Sequence, residues 1–558
     1  VLAHWTSLAL GLLNVALVTR ITQTLVPRAQ WLSGGLAGFA LVLFPLSYRD
    51  LGSATSNAHL GVAAATLAAI LAAEMFRRTG RRRSLGLSLG MSLLAPWAAE
   101  SGVTTGLIVA AYLLLREWPA PTRRGGWLSG LSISLSLALT LWVASIARGE
   151  TALNTPLKLL DKTVFFLQIL AYPAAPLMRW LVAQNLPFPL AIASVGLGVL
   201  ALLGAGLIRS PFRRLFVFGL AYWGGAGVIS WYALTFEYLT NAAHVFYSAA
   251  PAIALVWAAA VGRGLAWPSP RWRWVTAGAA LLFLISGTLH LQRGFRLFQL
   301  GVEPLRALAR AAEAGGPLLA VNLPGWLAWP DPYFAFGNEG VLVLSDESPA
   351  QLFLDFNSRR GAQIQAVEVS DLRANTPYYV GVHGAPVPVD GLADALPAAA
   401  AIYRADYQAE HIVLQRVGRV EAARPAPAAV TARFANGLTL VSADFQRAAR
   451  TVQITLDWYL GAAPTEHTFF VHVLDCAGNV LAQADGPALG RLYPLRQWRP
   501  GDRVHDIRYA PVTPPAPDGC YRLAAGLFDT GSGERLPVTD AGGQPYPNAA
   551  VTLTFNAP

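Results

Sequence analysis

Residues 72–87 read AAEMFRRTGRRRSLGL, five arginines set between two apolar stretches. The pattern recurs: up to about residue 290 the chain is a succession of near-uncharged runs broken by short basic clusters. This alternation constrains the fold more than any other feature. A helix needs roughly 20 apolar residues to cross the hydrocarbon of a bilayer. Inside that layer only helices or closed barrels satisfy their own backbones. The runs therefore predict a polytopic α-helical membrane domain. The chain as a whole is 54% hydrophobic and 13% charged, against a usual quarter of charged residues. Soluble helical cores seldom string so many uncharged segments together.

Candidate spans are 1–19, 31–47, 59–76, 84–97, 101–115, 127–147, 188–208, 213–234, 246–262 and 274–291. A further segment, 163–183, has two prolines and an internal arginine, and reads either as a span or as a broken helix. Sixteen arginines stand in five loops, near 20–28, 77–83, 116–124, 209–214 and 263–273. The positive-inside rule makes those loops cytoplasmic. All five share one side only if 163–183 does not cross, so that segment is expected to be re-entrant or interfacial. The net charge of +10 then marks topology, and nucleic acid is not an expected partner. The chain begins at Val1 inside an apolar run, which reads as a missing upstream part and not as a signal peptide.

The outward loops carry the polar residues. The first holds Arg49, Asp50, Asn57 and His59; the second holds Glu100. The third includes Lys158, Asp161, Lys162 and Arg179, and the fourth Glu237, Tyr238, Asn241 and His244. A carboxylate at the end of an apolar segment is costly unless paired or wet, so each is a functional candidate. The plainer reading of any one is a structural ion pair. As a set they suggest a polar cavity at the outer face, where Asp or Glu serves as a base and Arg or Lys holds phosphate. No GxxxxGK[ST] loop, dinucleotide fingerprint, HxxxH or HExxH pattern occurs, which turns the reading away from nucleotide hydrolysis and from a histidine metal site.

Four stretches resemble the GT-C superfamily of polytopic glycosyltransferases, which use polyprenyl-phosphate-linked sugars and are related to protein O-mannosyltransferases. HWTSLALGLLNVALVTR at 4–20 is similar to the family's second span, with His4 and Asn14 matching. FPLSYRD at 44–50 sits where relatives carry a proline and an acidic residue. LAPWAAESGVTTGL at 94–107 matches at Glu100 and Ser101, with Ala99 in place of a lysine. EYLTNAAHVFYSAAPAIALV at 237–256 matches at Glu237 but lacks the family's arginine. The resemblance implies a base-assisted displacement at the anomeric carbon with polyprenyl phosphate leaving. It makes Asp50, Glu100 and Glu237 the catalytic candidates and Arg49, Arg179 and His244 the phosphate or donor-binding candidates. A divalent cation is one candidate for neutralising the phosphate, although no metal ligands are assigned. The family's usual catalytic carboxylate belongs to a loop upstream of what Val1 begins. Implied partners are a lipid-linked sugar, membrane lipids and an extracytoplasmic glycan or protein acceptor. The alternative is a non-catalytic membrane-anchored structural or accessory protein that binds glycan or partner proteins through its outer domains.

The polar half is expected to hold a small extracytoplasmic α/β domain at 292–423 and a C-terminal β-sandwich at 424–558, following the membrane domain at 1–291. EPLRALARAAEAGG at 303–316 has helical spacing, and EAARPAPAAVTA at 421–432 reads as a linker. Seven or eight short alternating strands after about 430 suit a sandwich. WRPGDRVHDI and YRLAAGLFDTGSGERLPV resemble the sandwich appended to membrane glycosyltransferases of green non-sulfur bacteria. Trp458, Tyr493 and Trp498 are glycan-stacking candidates, with a core-filling role as the plainer reading. Asp475, Asn479 and Asp485 flank turns and suggest calcium without its regular spacing. Cys476 and Cys520 read equally as one disulfide or two buried thiols. The expected place is a bacterial cell membrane, crossed many times, with the C-terminal domains outside.

Overall fold

The computed structural model describes residues 2–26, 30–44, 57–146, 156–241, 243–330, 340–344, 350–358, 360–372, 376–448, 451–463, 465–512 and 520–556. The chain forms two compact units, Val1–Phe298 with Trp329–Val341, and Gln299–Ala328 with Leu342–Pro558.

The first unit is helical. It contains α1 (Leu2–Leu25), α2 (Gln30–Val42), α3 (Asn57–Thr79), α4 (Arg82–Ala98), α5 (Thr105–Glu117), α6 (Arg123–Ile146), α7 (Pro156–Leu170), α8 (Ala175–Ala183), α9 (Phe188–Leu207), α10 (Arg213–Ala233), α11 (Phe236–Asn241), α12 (Ala250–Leu265) and the first part of α13 (Pro270–Ala312). Among the described residues seven helices are long and apolar enough to cross a membrane. This fits a multi-pass membrane protein. The unit's surface agrees: Leu12, Leu141, Leu202 and Leu282 are each about 70% exposed or more, which water would penalise and lipid would not. Exposed tryptophans ring both ends. Trp31, Trp118, Trp127 and Trp274 lie toward the arginine loops, while Trp97 and Trp142 pair at the other end. Such belts suit rings that are apolar in body and polar at one edge.

Polar side chains fasten the helices to one another. Asn14 on α1 is fully buried and donates to the Leu60 carbonyl at 3.1 Å. Thr66 and Thr105 hydrogen-bond at 2.8 Å, and Ser88 donates to the Ala69 carbonyl at 3.0 Å. In low dielectric these contacts hold helices that hydrophobic burial alone would not. Between α4 and α5 the chain makes a 3-10 turn at Glu100–Thr104. A side chain at Gly102 would meet the Ala95 backbone at 2.3 Å, and one at Gly106 the Ser132 carbonyl at 2.2 Å. ESGVTTG is thus a sequence that lets three helices close on one another.

The five arginine loops converge on one end of this unit. Arg77 approaches Glu117 at 3.7 Å, and Gly80 lies against Arg124. Arg214 donates to the Trp118 carbonyl at 3.3 Å. Leu25 and Val26 share a cavity with Arg209 and Arg213. Gly262, at the end of α12, packs on Phe212. The segment 163–183 is a broken helix, α7 then a turn at Tyr172–Ala174 then α8. Thr163 accepts from the Trp231 indole, near the end of α10 remote from Arg213, and Met178 packs on Ile192 and Val195 near the start of α9. Both ends of the segment lie at the end of the unit opposite the arginines.

The second unit is built on sheets. One ten-stranded sheet runs Val538–Asp540, Ala432–Phe434, Leu438–Ala448, Thr451–Leu460, Arg503–Pro511, Ile412–Glu421, Ala401–Tyr407, Leu318–Val321, Ile364–Glu368, Ala385–Pro386. Leu318–Val321 pairs in parallel with both neighbours, whereas the strands from Ile412 onward pair antiparallel. The stretches expected as separate domains on either side of residue 423 share this one sheet, through Ile412–Glu421 paired with Arg503–Pro511. A second sheet, Val480–Gln483, His467–Asp475, Cys520–Asp529 and Val551–Asn556, faces its antiparallel half and completes a sandwich. The helix expected at 303–316 is continuous with the last span in α13.

Candidate functional site

The candidates fall into three groups. Arg49 and Asp50 lie outside the described residues. Glu237 stands on α11 and His244 on the 3-10 turn Ala243–Ala249, with their side chains outside the description. Glu100 and Arg179 are described in full.

Glu100 opens the 3-10 turn after α4, where Ala99 is extended and ends the helix. Its carboxylate is exposed, while Ser101 to Thr104 behind it are buried. That turn packs on α4, α6 and α10. His59, in the first turn of α3, is within range of the Glu100 charge. Nearby, Ser7 donates to Asn57 at 2.6 Å. The turn at Ala243–Ala249 packs on α3 and α10, and its Phe246 meets Phe165 and Phe166 of α7. Loops far apart in the sequence thus gather at the end remote from the arginines. Arg179 belongs to α8, whose packing partners are α9 and the Tyr172–Ala174 turn. It therefore has different neighbours from Glu100. His59 belongs to the outward polar set expected from the sequence but carries no assigned role there, since nothing in the sequence ties it to a loop some 40 residues later.

A second carboxylate escaped the sequence reading. Glu74 is 3% exposed near the arginine-loop end of α3. It receives Arg77 at 2.7 and 2.8 Å and Arg78 at 2.6 Å, with Arg116 at 3.8 Å. The i,i+3 and i,i+4 spacing to Arg77 and Arg78 is visible in AAEMFRR and was the available signal. Its role is to pin the basic loops, neutralising guanidiniums that would otherwise repel one another.

The glycan-stacking candidates need correction. Trp458 and Tyr493 are fully buried and Trp498 is 1% exposed, so none presents a face to a sugar. They fill the sandwich: Trp458 meets Phe434 and Phe469, and Tyr493 stacks on Trp498 at 5.5 Å. Alternation places Trp458 inward with Val452, Ile454 and Leu456, and this decides the matter. WRPGDRVHDI is likewise structural. Asp502 accepts the Tyr493 hydroxyl at 2.7 Å and the Arg499 N–H at 2.8 Å. Arg503 grips Asp457 with two bonds at 3.1 Å. Burial beside Asp502 pushes the Tyr493 phenol well above its usual range.

The turn carboxylates suggested for calcium have protein donors. Asp475 accepts both the Asn479 N–H and its side-chain amide at 2.7 Å, which holds its carboxyl below the usual range. Asp485 accepts from Val471 N–H at 2.8 Å and lies 3.2 Å from His472. Cys476 and Cys520 are joined in a disulfide, with Cα atoms 5.7 Å apart.

Neither a protein-family model, nor a curated protein, nor a solved structure matches this chain.

Proposed function

We propose that this protein is a membrane glycosyltransferase of GT-C type, which moves a sugar from a polyprenyl-phosphate donor to an acceptor outside the cell. The observation that carries the reading is the exposed Glu100 carboxylate at the head of the buried turn Glu100–Thr104, with His59 of α3 within range of its charge, at the end of the bundle opposite the arginine clusters. The positive-inside rule puts the arginine end in the cytoplasm and this pair at the outer face. There the acceptor's hydroxyl gives its proton to the Glu100 carboxylate as its oxygen bonds to the anomeric carbon. The bond from that carbon to the phosphate oxygen breaks, and polyprenyl phosphate leaves with the electron pair. Asp50 and Glu237 are further acidic candidates from the outward loops of the sequence, and Arg49, Arg179 and His244 are candidates for receiving the phosphate charge.

The test uses membranes carrying the full-length protein and radiolabelled polyprenyl-phosphate hexoses. Transfer of label to an outer acceptor is expected, falling by about a hundredfold in Glu100→Gln. Transfer that is unchanged in that variant overturns the assignment of the base. Absence of transfer with every donor favours the accessory reading, in which the outer domains bind glycan or partner proteins.

A further inference from the structure

The second unit contains a polar cleft of about 380 Å³, of a size that suits one or two sugar rings. Among its lining residues are Arg404, Arg491, Asp371, Asp406, Gln415 and Tyr509. One wall is unusual. Leu489, Gly490 and Arg491 all take positive φ, at 55°, 64° and 73°. Two of these are not glycine, and a non-glycine residue persists there only when its surroundings enforce it.

The enforcement is visible. Buried Asp506 accepts the Leu489 N–H at 2.8 Å, and its other oxygen takes Arg508 at 2.6 Å. Arg491 N–H donates to the Pro487 carbonyl at 3.1 Å, and Arg404 donates to the Gly490 carbonyl. Held this way, the Arg491 side chain lines the cleft in exposed position, and among the described residues no hydrogen bond or ion pair engages it. It lies close enough to Arg404 for their charges to oppose each other. Strained backbone therefore supports an unpaired cation beside a second cation, an arrangement that burial and packing alone would not favour.

The rest of the lining narrows the ligand. Asp371, Asp406 and Asp485 bring three carboxylates to the same cleft, which would repel a bare inorganic anion. Carboxylates and Gln415 suit the donating hydroxyls of a sugar. A neutral sugar, however, leaves Arg491 without an anion, whereas Arg404 has Asp406 at 3.9 Å and Arg508, also in the lining, has Asp506 at 2.6 Å. We infer that this cleft binds a saccharide carrying an anionic group, its hydroxyls on the carboxylates and its anion on Arg491. The inference does not rest on the transfer reaction and would outlive the failure of Glu100 as a base.

The test is calorimetric titration of the detergent-solubilised full-length protein with three probes: trigalacturonic acid, its neutral methyl ester, and glucose 6-phosphate. At least one acidic probe is expected to bind about tenfold or more tightly than the ester. Arg491→Ala removes that preference, while Arg491→Lys keeps part of it. Binding of the phosphate alone assigns the anion to phosphate, and of the uronate alone to carboxylate. Both Arg and Ala carry a Cβ, so the backbone strain is the same in R491A, and tryptophan fluorescence confirms that it folds. Equal affinity of the ester and of both acidic probes, undiminished affinity of the bound acidic probe in R491A, or no binding of any probe overturns the inference.

Discussion

Buried charge is what the individual residues of the sandwich have most in common. Asp457, Asp502 and Asp506 are each 5% exposed or less, yet in the sequence they look like ordinary turn or edge acids. Each is tolerable because it accepts from an arginine, a hydroxyl or a backbone N–H. The partners of Asp506 include Leu489, 17 residues away, and no spacing rule reveals such a bond. The aromatics were readable: alternation along TVQITLDWYL puts Trp458 inward. Trp458→Ala is expected to cost about 3–5 kcal/mol in chemical unfolding, and a loss under 1 kcal/mol would show that the ring is not core. His505 sets a pH dependence. It lies 3.4 Å from both Asp457 and Glu421, with Arg419 and Arg503 also in its field. Burial outweighs the carboxylates and lowers its pKa below the ordinary 6.5. As pH falls from 6.5 the unfolded chain takes its proton first, so stability present above that pH is lost below it. The melting temperature should decline between pH 7 and pH 5.5, and His505→Gln should decline less. An equal decline in both proteins contradicts this role.

Elements were legible where their pattern is local. The apolar runs locate the helices, and arginine counting alone makes 163–183 a segment expected not to cross; the structure shows it as a helix broken at Tyr172–Ala174, with Thr163 and Met178 at one end of the unit. What failed to show was continuity. EPLRALARAAEAGG reads as its own helix because Pro304 and a change of polarity interrupt the last apolar run, yet α13 runs through both. The alanine-proline stretch at 421–432 looks like a linker, but the strands beside it belong to one sheet, since pairing partners 82 to 88 residues apart leave no mark in composition. The disulfide was one of two open readings. It joins the turn after His467–Asp475 to the first residue of Cys520–Asp529, strands that pair side by side. Closing a loop with sequence separation 44 stabilises by about 2–4 kcal/mol through the unfolded chain. The double variant Cys476→Ser, Cys520→Ser should melt at lower temperature in the fluorescence of the sandwich tryptophans, and an unchanged melting curve would show that strand pairing alone suffices.

At the scale of the whole molecule, one arrangement supports everything else: five basic loops at one end of the helical unit, with Glu100, His59 and the ends of segment 163–183 at the other. Its meaning depends on which end faces the cytoplasm. Single cysteines at Thr79, Gln184 and Glu534, all exposed positions, report it directly, because the native cysteines are disulfide-bonded and silent. With a membrane-impermeant maleimide on intact cells, Gln184→Cys and Glu534→Cys should label, and Thr79→Cys should label only after the cells are permeabilised. Labelling of Thr79→Cys in intact cells, with Glu534→Cys protected, would contradict the account.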